Sequence, residues 1–175
     1  MEAGHAGRPR SALEKALVGP AGEHFVLFRL YQQGMLASLS PPGSPTVDVL
    51  VLAPDESVIA TLQVKTRTGA HRGWPMGEKH EHISELRCFY AFVDLKVPAG
   101  HMPVTYIIPS QVVADVLKRS HETWLKTPGR GGRAHKTNPV RQILPVYGFK
   151  MPDQYQDGWM EKYRECWDLL RAAVE

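Results

Sequence analysis

Thiols are scarce in this sequence. Two cysteines, Cys88 and Cys166, occur in 175 residues, with no metal-ligand spacing between them and too few for a disulfide framework. A reducing cytoplasm is therefore the expected setting. No apolar run approaches the roughly 20 residues that a membrane-spanning helix needs, and the opening MEAGHAGRPRSALEKALVG lacks the apolar core of a signal peptide. Repeats and low-complexity segments are also missing. A strong charge imbalance is absent too: 21 basic and 18 acidic residues leave +3 with His neutral, too little to argue nucleic-acid binding by itself.

What remains is an ordinary globular composition, 43% apolar and 22% charged, in a chain long enough to bury one real core. Residues 1–12 read as a flexible tail, 13–119 as the core, and 120–175 as a basic loop and a C-terminal helix packed on it. Ser11 suits the cap of a short helix that Gly19-Pro20 breaks. Pro20 suits the first turn of a second helix, which runs to about Gln33 and stops at Gly34. SLSPPGSP (38–45) reads as a loop, Thr68 to His80 as another, and His82 to Arg87 as a short helix. FYAFVDL (89–95) and VTYIIP (104–109) are apolar enough for strands, and Ser110 suits the cap of a helix to about Arg119. Tyr155, Trp159, Tyr163, Trp167 and Leu170 fall near one stripe, which predicts a last helix over about Gln154–Ala173 lying on the body of the protein. The element order implies an α/β fold with a central mixed sheet flanked by helices.

Two short pieces stand out. TVDVLVLA carries Asp48 inside an apolar run, and IATLQVKTR carries Gln63 and Lys65 inside another. Both runs are strand-like, and the turn formers Pro54, Asp55, Glu56 and Ser57 lie between them. Centring the hairpin between Asp55 and Glu56 makes paired residue numbers sum to 111, so Asp48 faces Gln63 and Thr46 faces Lys65, with opposed Cβ atoms roughly 4.5–5.5 Å apart. Period-two alternation places Asp48, Gln63 and Lys65 on one face, while Val47, Val49, Val51, Leu62 and Val64 point the other way. Buried polar groups are costly without partners, and a hydrated divalent metal with an amine beside it would supply one. Glu23, sharing a helix face with Leu27 and Leu30, points inward near the start of the second helix.

Glu23 in GPAGEHF, Asp48 in TVDVLVL, and Gln63 and Lys65 in LQVKTR together resemble the PD-(D/E)xK nuclease superfamily, which includes restriction endonucleases and archaeal-type Holliday junction resolvases. The likeness covers roughly residues 13–119, with FYAFVDL and VTYIIPS similar to the later core strands. It implies a restriction-endonuclease-like αβββαβ core and metal-dependent hydrolysis of DNA phosphodiester bonds leaving a 5′-phosphate. It also implies Asp48, Gln63 and the Val64 carbonyl as ligands of Mg2+ or Mn2+, Lys65 as the catalytic lysine, and Glu23 as an auxiliary carboxylate. Thr46 and Val47 replace the motif's proline region. Gln63 replaces the commoner acid and removes one negative charge, as in members similar to type IV restriction enzymes. Dimerisation, frequent in that superfamily, would match a duplex with two strands to cut.

From Lys118 to Lys150 the chain holds Lys118, Arg119, Lys126, Arg130, Arg133, Lys136, Arg141 and Lys150 against Glu122 as its one acid. SHETWLKTPGRGGRAHKTNPVRQ sets Trp124 among arginines and glycines, a composition that suits backbone and side-chain contacts to phosphate. Arg67, Arg72, Arg130, Arg133, His135 and Lys136 are thus the expected DNA contacts, on double-stranded or branched DNA. His71, Arg72, His80 and His82 read as a surface loop, since no Cys/His pattern completes a zinc site. Bland readings stand beside these: Asp48 as a strand-end acceptor, Glu23 as a helix-dipole partner, Gln63 and Lys65 as edge-strand positions. Two alternatives stay open. One is a catalytically inactive nuclease-fold module binding DNA or a protein; the other is an unrelated α/β enzyme with its chemistry in 120–150.

Overall fold

The computed structural model describes residues 11–69, 72–98 and 100–172. The expected N-terminal tail falls mostly on residues outside that range, as does His71. Ser11 caps α1 (Ala12–Ala16) in a reciprocal box with Glu14. The next helix, α2 (Val18–Gln32), takes Gly19 and Pro20 into its first turn, where no N–H donor is required. Gly34, at φ 70°, ends it.

Five strands then build the main sheet in the order β1-β2-β3-β5-β6: β1 (Leu36–Leu39), β2 (Val49–Leu52), β3 (Val58–Arg67), β5 (Cys88–Asp94) and β6 (Val104–Pro109). All neighbours are antiparallel except β3 and β5, which run parallel. A second, two-stranded sheet pairs β4 (Trp74–Gly77) with β7 (Val140–Ile143). Between β2 and β3 the partners are Val49↔Leu62, Leu50↔Thr61 and Val51↔Ala60, so the sum of 111 holds in the body of the hairpin. A bulge at its turn end shifts Leu52 onto Val58.

The sheet is buried on both faces. On one, Val26 and Leu30 of α2 pack over Val49, Val51, Leu62 and Val64. On the other, α3 (Ser110–Lys126) sets Val113, Val116 and Leu117 over Tyr90, Phe92 and Ile108. Alternation along β3 sends Leu62 and Val64 towards α2, and Gln63 and Lys65 towards the α3 side.

Several expectations are corrected. Leu36–Leu39 is an edge strand, and its last two residues fall in the stretch 38–45 read as loop; β4 lies within the later stretch read as loop. The short helix expected over 82–87 is instead a 3-10 turn over Glu78–His82. Helix α3 continues past Arg119 to Lys126, stopped by Thr127-Pro128. Ser110 does not cap it. Its hydroxyl donates to the Glu85 carbonyl (2.8 Å) and accepts from the Glu85 N–H (3.0 Å).

The helix expected over 154–173 is not formed. Short 3-10 turns at Asp153–Tyr155 and Glu161–Tyr163 precede a five-residue α4 (Asp168–Ala172). Gly158 and Glu165 take positive φ, 83° and 51°, which no helix accommodates. The aromatic residues still bury themselves: Tyr155 and Trp159 join the α3-side core, and Trp167 and Leu170 the α2-side core. Arg164 forms a bridge with Tyr106. Glu165 accepts from the Thr105 N–H (2.7 Å), Arg29 (2.8 Å) and the Trp167 indole (2.9 Å). This clasp covers the β6 margin, where open backbone would otherwise invite pairing.

Candidate active site

Asp48 stands one residue before β2, where the chain enters the sheet. Its N–H donates to the Leu62 carbonyl at 2.9 Å, the residue already paired with Val49. The ladder therefore slips by one at this end. The slip turns the Asp48 carboxylate into the margin of the sheet, where Oδ2 accepts the Val64 N–H at 2.7 Å. Sequence alternation places Asp48 flat on one face beside Gln63. The structure instead sets its carboxylate at the strand edge, level with the Val64 backbone, whose carbonyl points the same way as its N–H.

Gln63 and Lys65 share a face, as their spacing requires. Gln63 pairs across the parallel ladder with Tyr90, and Lys65 with Phe92. Gln63 is 5% exposed, and its Oε1 is buried without a hydrogen-bond partner. An orphaned acceptor of this kind costs about 1–3 kcal/mol, so its presence in a strand centre demands a reason.

Glu23 reaches the group from the α2 layer. Gly22 brings it there, because α2 crosses β3 so closely that a side chain at position 22 would collide with Thr66. Burial, and then the Asp48 carboxylate, push the Glu23 carboxyl above its usual range, with His24 and Lys65 pulling it back. Burial holds the Lys65 ammonium below the usual lysine range, opposed by Asp48, furthered by Lys79 and opposed by Glu23. Asp48, Lys65 and Glu23 thus lie within electrostatic reach of one another, and Gln63 shares the Lys65 face of β3.

One neighbour was not legible in the sequence. His80, read as a loop residue on the surface, is 3% exposed. Its Nδ1 lies 2.8 Å from the Tyr90 hydroxyl, edge-on to that ring. Burial, followed by Lys65 and Lys79, lowers its pKa to about 4. The polar stretch EKHEH carries no sign of this burial. His82 and Arg72 are exposed, as a surface loop requires.

The expected DNA contacts divide into two groups. Arg130, Arg133 and Lys136 are exposed, and His135 is half-buried against the Trp124 ring. Arg67 is committed inward: Nε and one terminal nitrogen donate to Asp94 Oδ2 (2.9 and 2.5 Å), the other donates to the Arg72 carbonyl (2.7 Å), and the guanidinium lies 4.0 Å over Trp74. Arg141, counted in the basic stretch, is likewise spent on Glu81 and the carbonyls of Asn138 and Val140.

As a donor set for a hard divalent cation the group offers the Asp48 carboxylate, the Gln63 amide oxygen and the Val64 carbonyl, all oxygen. The unpartnered Gln63 Oε1 fits such a role. Among the described residues, no three His, Cys, Asp or Glu side chains gather into a metal-holding cluster, so any cation here would rest partly on uncharged oxygens. No helix among the described residues is long and apolar enough to cross a membrane.

No protein-family model matches the chain, and no curated protein matches it. Among solved structures, that of a bacterial homing endonuclease, I-Ssp6803I, aligns with 91% of this chain and 93% of its own at 12% identity and a TM-score of 0.48. Likeness at that level assigns neither family nor activity.

Proposed function

We propose that this protein is a metal-dependent endodeoxyribonuclease of the PD-(D/E)xK type, with Gln63 in place of the usual acid. The observation that carries the reading is a buried, unpartnered Gln63 Oε1 on the strand whose Val64 N–H holds the Asp48 carboxylate and whose Lys65 has its charged form disfavoured by burial. Asp48, Gln63 and the Val64 carbonyl would hold Mg2+ or Mn2+. Bound there, the ion supplies positive charge to the phosphate and to the attacking water. With one carboxylate and two neutral oxygens, affinity is lower than at a two-acid site.

The chain's own residues do the rest. Lys65, shifted towards its neutral form, accepts a proton from the attacking water as its oxygen bonds to phosphorus. In its protonated state it balances charge building on the phosphate. The P–O3′ bond breaks, leaving a 5′-phosphate, and the departing oxygen takes a proton from solvent. Glu23, held above its usual range, orients water on the α2 side. DNA, duplex or branched, is the substrate; two copies of the chain would serve its two strands.

The test is nicking of supercoiled plasmid with Mg2+ or Mn2+ and with chelator. Lys65→Ala and Asp48→Asn should each lower the rate by about 100-fold or more while leaving the circular dichroism unchanged. Undiminished cleavage by Lys65→Ala removes the proposed centre. The amide at 63 also favours a second reading, a binding module of the same fold without catalysis. Calorimetric titration with Mn2+ separates the two, because the module shows no binding that Asp48→Asn abolishes.

A further inference from the structure

The stretch after β6 carries a built feature that phosphodiester hydrolysis leaves unused. Trp124, near the end of α3, stacks on His135 with centroids 4.0 Å apart and planes at 20°, and His121 lies offset at 5.6 Å. Gly129 permits this: a Cβ there would sit 2.9 Å from His135 Cε1 and 3.2 Å from the Arg133 carbonyl. Gly131 and Gly132 take φ of 72° and 74°, and the Gly129 N–H donates to the Arg133 carbonyl at 2.8 Å. The basic loop is thereby a folded turn that leaves Arg130, Arg133 and Lys136 exposed.

Trp124 also lines a cavity of about 430 Å3 between α3 and β7, together with Val140, Leu144, Tyr147 and Phe149. Asn138, Gln142 and His121 place polar groups around it. Apolar and aromatic walls, a few hydrogen-bonding groups and a cationic turn alongside complement one nucleotide, with base inward and phosphate outward. An apolar protein side chain would have no use for the flanking cations.

We propose that this cavity receives a single unstacked nucleobase of a DNA strand whose phosphates run along Arg130, Arg133 and Lys136. The inference rests on reading DNA as the substrate and adds how the strand is gripped. The turn Glu78–His82 links the two places. Glu81 and Glu78 hold Arg141 in the cavity wall, while Lys79 and His80 of the same turn bear on Lys65.

The four tryptophans make the test direct. Trp74, Trp159 and Trp167 are buried, so Trp124 is the one a solute can quench. The full chain, in chelator, is titrated with oligothymidylate and with an abasic oligomer of equal length and charge. Oligothymidylate should quench the emission and bind about tenfold more tightly than the abasic strand. Trp124→Phe should remove the signal, and Phe149→Ala should bring the two affinities together. Equal affinities in the unmodified chain overturn the proposal without any variant. A base preference untouched by Phe149→Ala does so too, as does quenching by an apolar peptide but not by thymidylate, which would point to a protein partner. Chelator excludes hydrolysis, so failure here leaves the Lys65→Ala result standing, and the reverse also holds.

Discussion

A β-carbon on Gly22 would lie 1.8 Å from the Thr66 hydroxyl oxygen and 2.9 Å from the Thr66 Cβ, so helix and strand meet where only hydrogen fits. Glycine inside a helix is about 1 kcal/mol worse than alanine, yet Gly22→Ala should destabilise the protein by about 1–3 kcal/mol through overpacking. Adding Thr66→Ala, which removes the hydroxyl but keeps the Cβ at 2.9 Å, should recover part of the loss, and urea unfolding of the two single variants and the double reads the coupling. The single variant should also lower nicking activity, because Glu23 follows directly.

In the proposed role, Gln63 would trade stability for a metal-binding oxygen. Replacing it with Met removes the orphaned buried acceptor at similar volume, so Gln63→Met should gain about 1–3 kcal/mol in chelator. The same change should abolish any rise in melting temperature on adding Mn2+. A variant less stable than the parent in chelator would show that the amide has a structural partner.

His80 makes the fold acid-sensitive. In the unfolded chain the ring binds a proton below about pH 6.5, whereas the buried ring resists until about pH 4. Between those values the unfolded state holds more protons, so stability falls as pH drops through the interval and levels off below it. His80→Gln should lack a loss on the order of 2–3 kcal/mol across that window, read by melts from pH 7 to pH 4.

Arg67 and the basic turn should behave oppositely. Arg67→Lys breaks the fork on Asp94 and should cost about 1–3 kcal/mol of stability while leaving the salt dependence of DNA binding unchanged. Replacing Arg130, Arg133 and Lys136 together by Ala should reduce the slope of log affinity against log salt by about 2 to 3 and leave the melting temperature unchanged.

How much of this was legible varies by element, for physical reasons. The β2–β3 register followed from a compact turn between two apolar runs, a local matter. The slip at Asp48 did not, because it depends on where β2 begins. Strand β4 was hidden by Pro75 and by a partner, β7, more than 60 residues away. The aromatic spacing from Tyr155 to Leu170 imitates a helix, although those rings are buried by turns docked on two cores. The nearness of Glu23, Asp48 and Lys65 was readable because a helix and a hairpin close in sequence carry them. His80 was not, since its burial comes from Tyr90 on a later strand.

That closeness in sequence has a corollary. The proposed reaction centre is drawn wholly from residues 23 to 65, and the nucleotide cavity wholly from residues 120 to 149. Chemistry and grip occupy separate lengths of chain joined through the turn that carries Lys79 and His80. On that reading, insertions or exchanges in the later stretch would retune what is held without unsettling the proposed cutting groups.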